Sequence, residues 1–506
     1  MHSRLLVRAT LSFDFSPLSR AKIGSVSIYP VNSKNRFSQI FIHDKRERKE
    51  DAMASSSVIK AIGLDIGTTT ISSVFTSGKD LTVEESATIP NNSFLPKRAE
   101  WESLQDPLLI TETVRTQLDK ILSRHPDTQV IGLTGQMHGI VYIGANGTPV
   151  SPLATWQDRR GNVPCFEGKS ICELLQERCG VRAFTGYGFV THLFNVLSGN
   201  VPDGAESFGT IGDCIGMLLT GRKKPLLHSS NAASLGLYDA EKNCFDARVL
   251  KEFGVREELI PAVTPDYTCI GSYNGIPVCT AIGDNQASFL GTVRQAKETV
   301  LVNMGTGGQI SVFSRKSRSA PGIEARPLFR DAFLLVGSSL CGGRAYALLK
   351  DFLKACAECA GASCSDAEVY SGMARLLENR KAPEDMLQVC TAFDGTREIP
   401  GLRGSVTNIS ISNFTPANLI YGFLSGMAEE LWQLYRSMEA ESGCNRKQLL
   451  ASGNGLRKNI YLQQVMSERF QMPLTVSART EEAACGAAAA AMVATGLITI
   501  EELLGI

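Results

Sequence analysis

Residues that could bind phosphate and a metal ion lie together early in the chain. From Val58 the sequence reads VIKAIGLDIGTTTISSVFTS, in which an apolar run ends at Asp65 and β-branched residues resume after Gly67. The pattern predicts a strand, a tight turn and a second strand, with Thr68 and Thr69 at the turn. Backbone amides and hydroxyls at such a turn suit a phosphate group, and the preceding carboxylate suits Mg²⁺.

A second hairpin of the same design follows about 240 residues later. The segment TVLVNMGTGGQISVFS places Gly305, Thr306 and Gly307 at its turn, so that Gly305 aligns with Gly67 and Thr306 with Thr68. Either hairpin alone would be explained by an ordinary β-turn. The matched pair predicts two related halves that face each other over one nucleotide.

A third glycine loop occurs in LLASGNGLRKN, where Gly453, Asn454 and Gly455 follow an apolar strand. Small residues at a strand end let a flat purine and its ribose approach the backbone. A helix is predicted before this strand, because Thr415 and Pro416 are a typical N-cap and first position and apolar residues then recur every three or four positions.

The length and composition of the chain indicate what kind of protein positions these loops. The chain has 506 residues, with 43% hydrophobic and 20% charged residues, which predicts a folded protein of two or three domains. Lys plus Arg and Asp plus Glu number 51 each, so the net charge is zero and a surface built throughout for nucleic acid or an anionic membrane is excluded.

Three local segments carry further expectations. The Ala- and Gly-rich stretch 483–500 predicts a buried, closely packed helix, because alanine contributes too little transfer free energy for a membrane span. The Arg- and Pro-containing stretch 315–330 is expected to be a surface loop. The 14 cysteines are scattered, and the one CxxC motif (Cys356, Cys359) has no second pair to complete a zinc site, so we expect reduced thiols and a cytoplasmic protein.

The first 52 residues differ in charge from the rest of the chain. They hold ten Lys or Arg and five acidic residues, a net charge of +5 that leaves −5 on the remainder. Residues 1–40 are rich in serine and contain one acid, so they weakly resemble an organellar transit peptide. The alternative, which we favour, is a disordered extension ahead of a domain that begins at Met53.

Other nucleotide-binding motifs fail on inspection of the sequence. The GKS at 168–170 has Val163 where a phosphate-binding loop of the Walker type needs glycine. No GxGxxG follows a strand, and the HRD and DFG motifs of protein kinases are absent.

The two hairpins and the late glycine loop resemble the superfamily of sugar kinases, actin and Hsp70-like ATPases. The motifs GLDIGTTT, GQMHG (135–139), WQDRR (156–160) and IGDNQAS (282–288) narrow the resemblance to the FGGY family of carbohydrate kinases, over roughly residues 58–495. It implies an α/β fold of two actin-like, ribonuclease H-like ATPase domains around a central cleft. We expect a sugar- and phosphate-binding domain at 53–291 and an ATP-binding domain at 292–506.

The resemblance also implies a reaction. GQMHG is similar to the ketose kinases, and WQD followed by Asn231–Ser234 is most similar to the kinases of sedoheptulose. This implies phosphorylation by ATP and Mg²⁺ to sedoheptulose 7-phosphate, which feeds the pentose phosphate pathway. The expected partners are therefore the sugar and ATP, with neither nucleic acid nor membrane.

Three alternatives stay open at this point. One is a kinase for xylulose or another ketose. A second is an actin- or Hsp70-like switch, against which the GDNQ and GQMHG motifs argue, because a switch needs neither a base nor a polar sugar pocket. A third is a degenerate kinase, disfavoured because both aspartates and all three glycine loops are intact.

The family motifs imply the following roles. Asp284 is the base that accepts the proton of the sugar hydroxyl, with a structural helix cap as the alternative. Asp65 organises Mg²⁺. The phosphates are held by Gly67, Thr68, Thr69, Gly305, Thr306 and Gly307, and the adenosine is bordered by Gly453, Asn454 and Gly455.

The predicted sugar contacts are polar side chains that can be fixed before the sugar arrives, with one apolar wall. They are Gln136, His138, Asp158 and Asn285, with Met137 as the wall. For Asp158 the alternative is a buried ion pair with Arg159 or Arg160. Trp101 lies near a Trp–Glu–Gln segment of the family, but Gln105 is displaced from that pattern, so no contact is assigned to either.

Overall fold

The computed structural model describes residues 58–506, apart from positions 165, 319, 380, 381, 397, 400 and 443–445. The predicted N-terminal extension lies outside the described residues. Residues 58–506 form one compact unit of the chain.

The first half of the described chain contains a large sheet with helices and smaller strand pairs around it. Its strands are β1 (Lys60–Ile66), β2 (Thr70–Ser77), β3 (Thr82–Pro90), β4 (Leu104–Gln105), β5 (Val130–Gly135), β6 (Val141–Gly144), β7 (Leu153–Ala154), β8 (Ala205–Gly209), β9 (Leu226–His228), β10 (Tyr238–Asp239), β11 (Cys244–Phe245), β12 (Ala262–Thr264), β13 (Cys269–Tyr273), β14 (Ile276–Cys279) and β15 (Ile282–Gly283). Its helices are α1 (Pro107–Arg124), α2 (Ile171–Cys179), α3 (Gly188–Leu197), α4 (Ile211–Thr220), α5 (Ser229–Ser234), α6 (Ala247–Glu252) and α7 (Asp284–Thr292).

The second half contains another large sheet covered by longer helices. Its strands are β16 (Thr299–Met304), β17 (Gly308–Ser314), β18 (Ile323–Phe329), β19 (Ala332–Ser339), β20 (Gln388–Cys390), β21 (Ser405–Thr407), β22 (Gln448–Ser452) and β23 (Leu474–Val476). Its helices are α8 (Gly342–Cys359), α9 (Asp366–Leu377), α10 (Pro416–Ser442), α11 (Asn454–Arg457), α12 (Ile460–Phe470), α13 (Glu482–Ala494) and α14 (Ile500–Leu504).

The two large sheets share one design, as the repeated hairpin predicted. The first has the order β13-β14-β5-β1-β2-β3, with β15 also paired to β5, and the second has the order β18-β19-β17-β16-β22-β23. In each, a hairpin is antiparallel (β1 with β2, β16 with β17) and its first strand is also flanked by a parallel strand (β5 or β22). The two predicted phosphate turns therefore occupy equivalent positions in two related halves.

Helix α13 connects the end of the chain to the first sheet. Ala488, Ala489 and other small residues of this helix are fully buried. A Cβ atom placed on Gly63 of β1 would lie 1.8 Å from the carbonyl oxygen of Ala484, and one on Gly132 of β5 would lie 1.9 Å from that of Ala487. The close backbone approach confirms the predicted buried helix. In the described part of the chain, no helix is long and apolar enough to cross a membrane.

Two local predictions have different outcomes. Helix α10 begins at Pro416 as expected, and the Asn418 amide donates to the Thr415 hydroxyl at 3.3 Å. The surface loop expected at 315–330 is wrong, because Ile323–Phe329 forms the edge strand β18. Its Pro327 lies at a register irregularity, which is where an edge strand tolerates a residue without an N–H.

Candidate active site

Three parallel strands end at one edge of the first sheet and bring two aspartates to it. Asp65 of β1 is in register with Thr134 of β5, which is in register with Ile282 of β15. The Thr134 hydroxyl donates to the Ile282 carbonyl at 2.8 Å and so ties β15 to β5. Because parallel neighbours end on the same side, Asp65 and Asp284, which directly follows β15, lie at the same edge.

Asp284 is the first residue of α7, and Gly283 occupies the N-cap position. The alternative in which Asp284 caps this helix is therefore not what the structure shows. Burial raises the pKa of the Asp284 carboxyl group, while the Arg326 guanidinium and the Asn285 amide act in the opposite direction. A carboxylate with a raised pKa is the better proton acceptor.

The residue before this aspartate is closely surrounded by side chains. A Cβ atom on Gly283 would lie 2.7 Å from Met137 Cε and 2.5 Å from Gln286 Oε1. Met137 is 6% exposed and packs beside Gly283, the neighbour of Asp284. Its role as an apolar wall for a sugar stays a prediction.

The carboxylate of Asp65 is suited to bind Mg²⁺, provided that water and phosphate oxygens supply the other ligands. Burial, and then the charges of Asp284 and Glu481, raise the pKa of Asp65 to about 7. A divalent cation would offset this like-charge repulsion. Among the residues that the structure describes, no three His, Cys, Asp or Glu side chains cluster to hold a metal. The arrangement fits Mg²⁺, which is usually bound by one or two carboxylates, water and phosphate oxygens.

A hydrogen-bond network fixes the first phosphate turn. The Thr68 hydroxyl donates to Gln136 Oε1 at 3.2 Å and accepts from Trp156 Nε1 at 2.9 Å. Gln136 Nε2 donates to Gln105 Oε1, and Gln105 Nε2 donates to the Thr68 carbonyl, both at 2.8 Å. Gln136 is thus bonded within the protein at both ends of its amide and orients Thr68. Direct contact between Gln136 and a sugar stays a prediction.

Two members of this network were not predicted as site residues. Gln105 ends β4, directly before Asp106, whose side chain caps α1, and Pro107, which starts it. The sequence signal for Gln105 was the Asp106 cap and Pro107, because these two residues mark the point where the strand ends and a helix begins. Trp156 is half exposed, and only its place in the WQDRR motif drew attention to it.

The second phosphate turn is held by the start of α8. The amides of Gly343 and Arg344 donate to the carbonyls of Gly305 and Thr306, each at 3.0 Å. The Gly305 amide also donates to the Gly307 carbonyl at 3.0 Å, which closes the turn. Gly305 and Thr306 remain exposed at the edge of the second sheet.

The third glycine loop lies against this turn. Gly453 has a φ of 80°, and a Cβ atom there would lie 2.5 Å from the Met304 carbonyl oxygen. A Cβ atom on Gly455 would lie 2.8 Å from the same oxygen. Met304 directly precedes Gly305, and Asn454 starts α11. The two loops predicted to bind phosphate and adenosine are thereby brought together.

His138 is held in a strained conformation. Its φ is 73°, which is rare for a residue with a side chain. Its amide donates to the Ser234 hydroxyl at 3.2 Å, its Nδ1 lies 2.7 Å from the Ser234 carbonyl, and its ring stacks on Tyr187 with 4.7 Å between centroids. The Nδ1 contact requires a proton on that nitrogen. Strain maintained by several contacts is typical of functional residues.

Asn285 joins the two halves and presents a buried acceptor. Its Nδ2 donates to Gln309 Oε1 of β17 at 2.7 Å. Within the described residues, its Oδ1 is buried and has no hydrogen-bond partner. A ligand hydroxyl could satisfy this oxygen, which is consistent with the predicted sugar contact.

Asp158 forms hydrogen bonds within the protein. This residue is fully buried, and Arg160 donates to its Oδ1 from Nε at 2.7 Å and to its Oδ2 from Nη2 at 3.0 Å. The Ser103 amide also donates to Oδ2, at 3.2 Å. The buried ion pair that was the alternative is therefore present, and it engages both carboxylate oxygens. Trp101 belongs to the same cluster, since the Arg160 guanidinium lies 5.3 Å from its ring centroid.

Two family models match the chain. The N-terminal domain of the FGGY family of carbohydrate kinases matches residues 60–291, and the C-terminal domain of that family matches residues 300–495. Together they cover most of the chain, on either side of the boundary predicted near residue 292.

Named relatives are similar over most of their length. Sedoheptulokinase of Mus musculus is 27% identical, over 86% of this chain and 97% of that protein. Sedoheptulokinase of Homo sapiens is 27% identical over 71% and 79%, and glycerol kinase of Aquifex aeolicus is 25% identical over 86% and 90%.

Solved structures share the fold. A xylulose kinase from Rhodospirillum rubrum superposes with a TM-score of 0.75 at 20% identity, covering 88% of this chain and 92% of that one. A gluconate kinase from Lactobacillus acidophilus gives 0.73 at 17% identity, covering 89% and 92%. Both likenesses bear on the fold alone, which is the predicted actin-like arrangement of two α/β domains.

Proposed function

The chain belongs to the FGGY family of carbohydrate kinases, in which ATP phosphorylates an alcohol group of a sugar, and we propose that its acceptor is sedoheptulose. The product would be sedoheptulose 7-phosphate. The observation that carries the choice of sugar is the similarity to mouse sedoheptulokinase over 97% of that protein. The xylulose kinase likeness supports the fold and not the substrate.

The proposed reaction centre is the edge at which Asp65 and Asp284 meet. The Asp284 carboxylate accepts the proton of the attacking hydroxyl, and α7 directs it toward the cleft. Asp65 would hold Mg²⁺, which would supply charge compensation for the transferred phosphoryl group. Phosphoryl transfer needs alignment and charge compensation more than covalent help, so one carboxylate near a strand end and another at the start of a helix suit the requirement.

The glycine turns are proposed to hold the nucleotide. Amides and hydroxyls at 67–69 and 305–307 bind the phosphates from the two halves, and 453–455 border the adenosine. Gln136 and Gln105 act through Thr68, whose hydroxyl and carbonyl they engage. The phosphate turn of the first half is therefore oriented before ATP arrives.

The sugar is proposed to lie between His138, Met137 and Asn285. The histidine is fixed by Ser234 and Tyr187, the methionine forms the wall beside Asp284, and the amide oxygen of Asn285 accepts from a sugar hydroxyl. We place the domain boundary near residue 292, so that the sugar contacts fall in 53–291 and the adenosine contacts in 292–506. Closure of the cleft between them would exclude water and limit hydrolysis of ATP.

The experiment is ADP release with MgATP on a panel of sedoheptulose, xylulose, ribulose, glycerol and no sugar. Asp284→Ala is compared with Asp239→Ala, which removes an exposed carboxylate paired with Lys242. We expect sedoheptulose to give the largest kcat/KM and Asp284→Ala alone to lose turnover while it retains ATP binding. A higher kcat/KM with xylulose would move the acceptor to that sugar, and ADP release that no sugar stimulates would refute the kinase.

A further inference from the structure

A pocket of about 400 Å³ lies between the two halves of the described chain. We call it the distal pocket. Its first-half wall is formed by Arg182 and Phe184, from the loop between α2 and α3. Its second-half wall includes Glu324 of β18 and Ser338 of β19. The wall thus combines an aromatic ring with hydroxyl and charged groups, which is the chemistry that receives a polyol.

An aromatic stack connects this pocket to the proposed sugar contacts. The ring of His138 stacks on Tyr187 with 4.7 Å between centroids and an interplanar angle of 2°. Tyr187 in turn meets Phe184 edge to face, with 5.7 Å between centroids. The Arg182 guanidinium lies 5.2 Å from the Phe184 ring centroid. The stack therefore runs from the histidine next to the reaction centre to the wall of the distal pocket.

The second-half wall is connected to the same centre through the start of α7. Asn285, which follows Asp284, donates from Nδ2 to Gln309 Oε1 at 2.7 Å. Gln309 of β17 is in register with Ser338 of β19, so the serine lies one strand away from that contact. Ser338 is partly exposed, and it belongs to the pocket wall.

Strand β18 provides a third connection. Gln286, two residues after Asp284, donates from Nε2 to the Pro327 carbonyl at 2.9 Å. The preceding Arg326 donates from Nε and Nη2 to Glu324 Oε2, at 3.0 and 2.7 Å. Arg326 therefore fixes Glu324 on the pocket wall, and Arg326 is the neighbour of Pro327, which accepts the hydrogen bond from α7. Three separate chains of contacts therefore connect the wall of the distal pocket to residues of the proposed reaction centre.

We propose that the distal pocket binds the non-reacting end of a ketose chain longer than five carbons, and that Phe184 and Ser338 set the preference for chain length. The inference rests on the proposed function, because it takes the reacting hydroxyl to be the one at Asp284. Phe184 packs against C–H groups of the sugar, and Ser338 and Glu324 form hydrogen bonds with its outer hydroxyls.

The geometry gives the reason for such a preference. If one end of the sugar lies at Asp284, a longer chain would extend past His138 toward the distal pocket and make contacts that a shorter one does not. A polar wall left without these hydroxyls disfavours the shorter sugar. Since the wall is built from both halves, the contacts are complete only when the halves are held as they are here.

The test compares kcat/KM for sedoheptulose and xylulose in the wild type, Phe184→Ala and Ser338→Ala. The matched control is Phe352→Ala, which removes an exposed ring of α8. We expect the ratio of kcat/KM for sedoheptulose to that for xylulose to fall about tenfold in Phe184→Ala and several-fold in Ser338→Ala. The KM for ATP and the melting temperature report whether each variant remains folded and binds the nucleotide.

An unchanged ratio in both pocket variants, with the two sugars affected equally or not at all, would overturn the proposal. Ser338→Leu, which fills the pocket, should lower the same ratio while it retains turnover of xylulose. A wild type that prefers xylulose would contradict the proposed acceptor. Even then, the change of ratio between wild type and variants decides whether the distal pocket binds the outer part of the chain.

Discussion

The carboxylate of Asp65 lies within electrostatic reach of that of Asp284, and burial, together with this second charge, raises the pKa of Asp65 to about 7. The two residues are 219 positions apart in the sequence, and they meet because β1, β5 and β15 end side by side. One carboxylate lies in β1, just before the predicted phosphate turn, and the other starts a helix. Their proximity therefore links the predicted metal site to the predicted base.

Replacing Asp65 with Asn should stabilise the protein at high pH and abolish its activity. The pKa of Asp65 is about 7 in the folded state against 3.8 for an unperturbed aspartate, so the folded state binds the extra proton. The ionised Asp65 carboxylate therefore destabilises the wild type. This effect is absent near pH 4, grows as the pH rises toward 7 and is complete above pH 7. The gain in free energy of unfolding for Asp65→Asn at pH 8 is at most about 4 kcal/mol.

Urea unfolding of the protein without nucleotide and metal, at pH 5 and pH 8, measures this gain. Asp127→Asn serves as the control, because the neighbouring Lys60 lowers the pKa of that exposed carboxyl group. An Asp65→Asn variant less stable than the wild type at pH 8 would refute the argument.

At position 138, glycine should give a more stable protein than alanine. The φ of 73° costs a residue with a Cβ atom about 1 kcal/mol, and glycine adopts it freely. Both variants lose the proposed sugar contact, so the sugar KM should rise about tenfold or more in each. Thermal unfolding of His138→Gly and His138→Ala checks the order, and the opposite order would contradict the strained backbone.

Gly486→Ala should destabilise the fold by about 3 kcal/mol, although alanine is the better helix former. A Cβ atom at this position of α13 would lie 1.7 Å from the carbonyl oxygen of Ala287 in α7. Gly401→Ala is the matched control, because no atom lies within 4 Å of its added Cβ. Chemical unfolding measures the free energy of unfolding of the two variants. Equal values would mean that α7 and α13 are not in backbone contact.

Asp158→Asn should lower stability by about 3–5 kcal/mol, because it leaves the buried Arg160 guanidinium without its charged partner. The sugar KM of the folded fraction should change less than about twofold. Glu177→Gln, which removes the exposed partner of Lys169, is the control and should change stability little. A large rise in sugar KM at unchanged stability would restore the sugar contact that the sequence predicted for Asp158.

Features that depend on neighbours along the chain were predictable from the sequence. The turns at Gly67 and Gly305 follow from apolar runs interrupted by glycine, and the start of α10 follows from Thr415 and Pro416. The Ala-rich composition of α13 was sufficient to predict burial. Each of these depends on backbone preference and local hydrophobic periodicity, which a sequence displays directly.

The tertiary structure decided what each polar side chain bonds to. The sequence allowed Asp158 either a sugar or an arginine as its partner, and folding buried it beside Arg160 and Ser103. Gln105 joined the site through Thr68 and Gln136, and β18 formed where a loop was expected because β19 and Gln286 provide its hydrogen bonds. The sequence by itself determined the two related halves and the three glycine loops. Which polar groups face the cleft was decided by folding, because a buried donor or acceptor takes the partner that the packed strands bring within bonding distance.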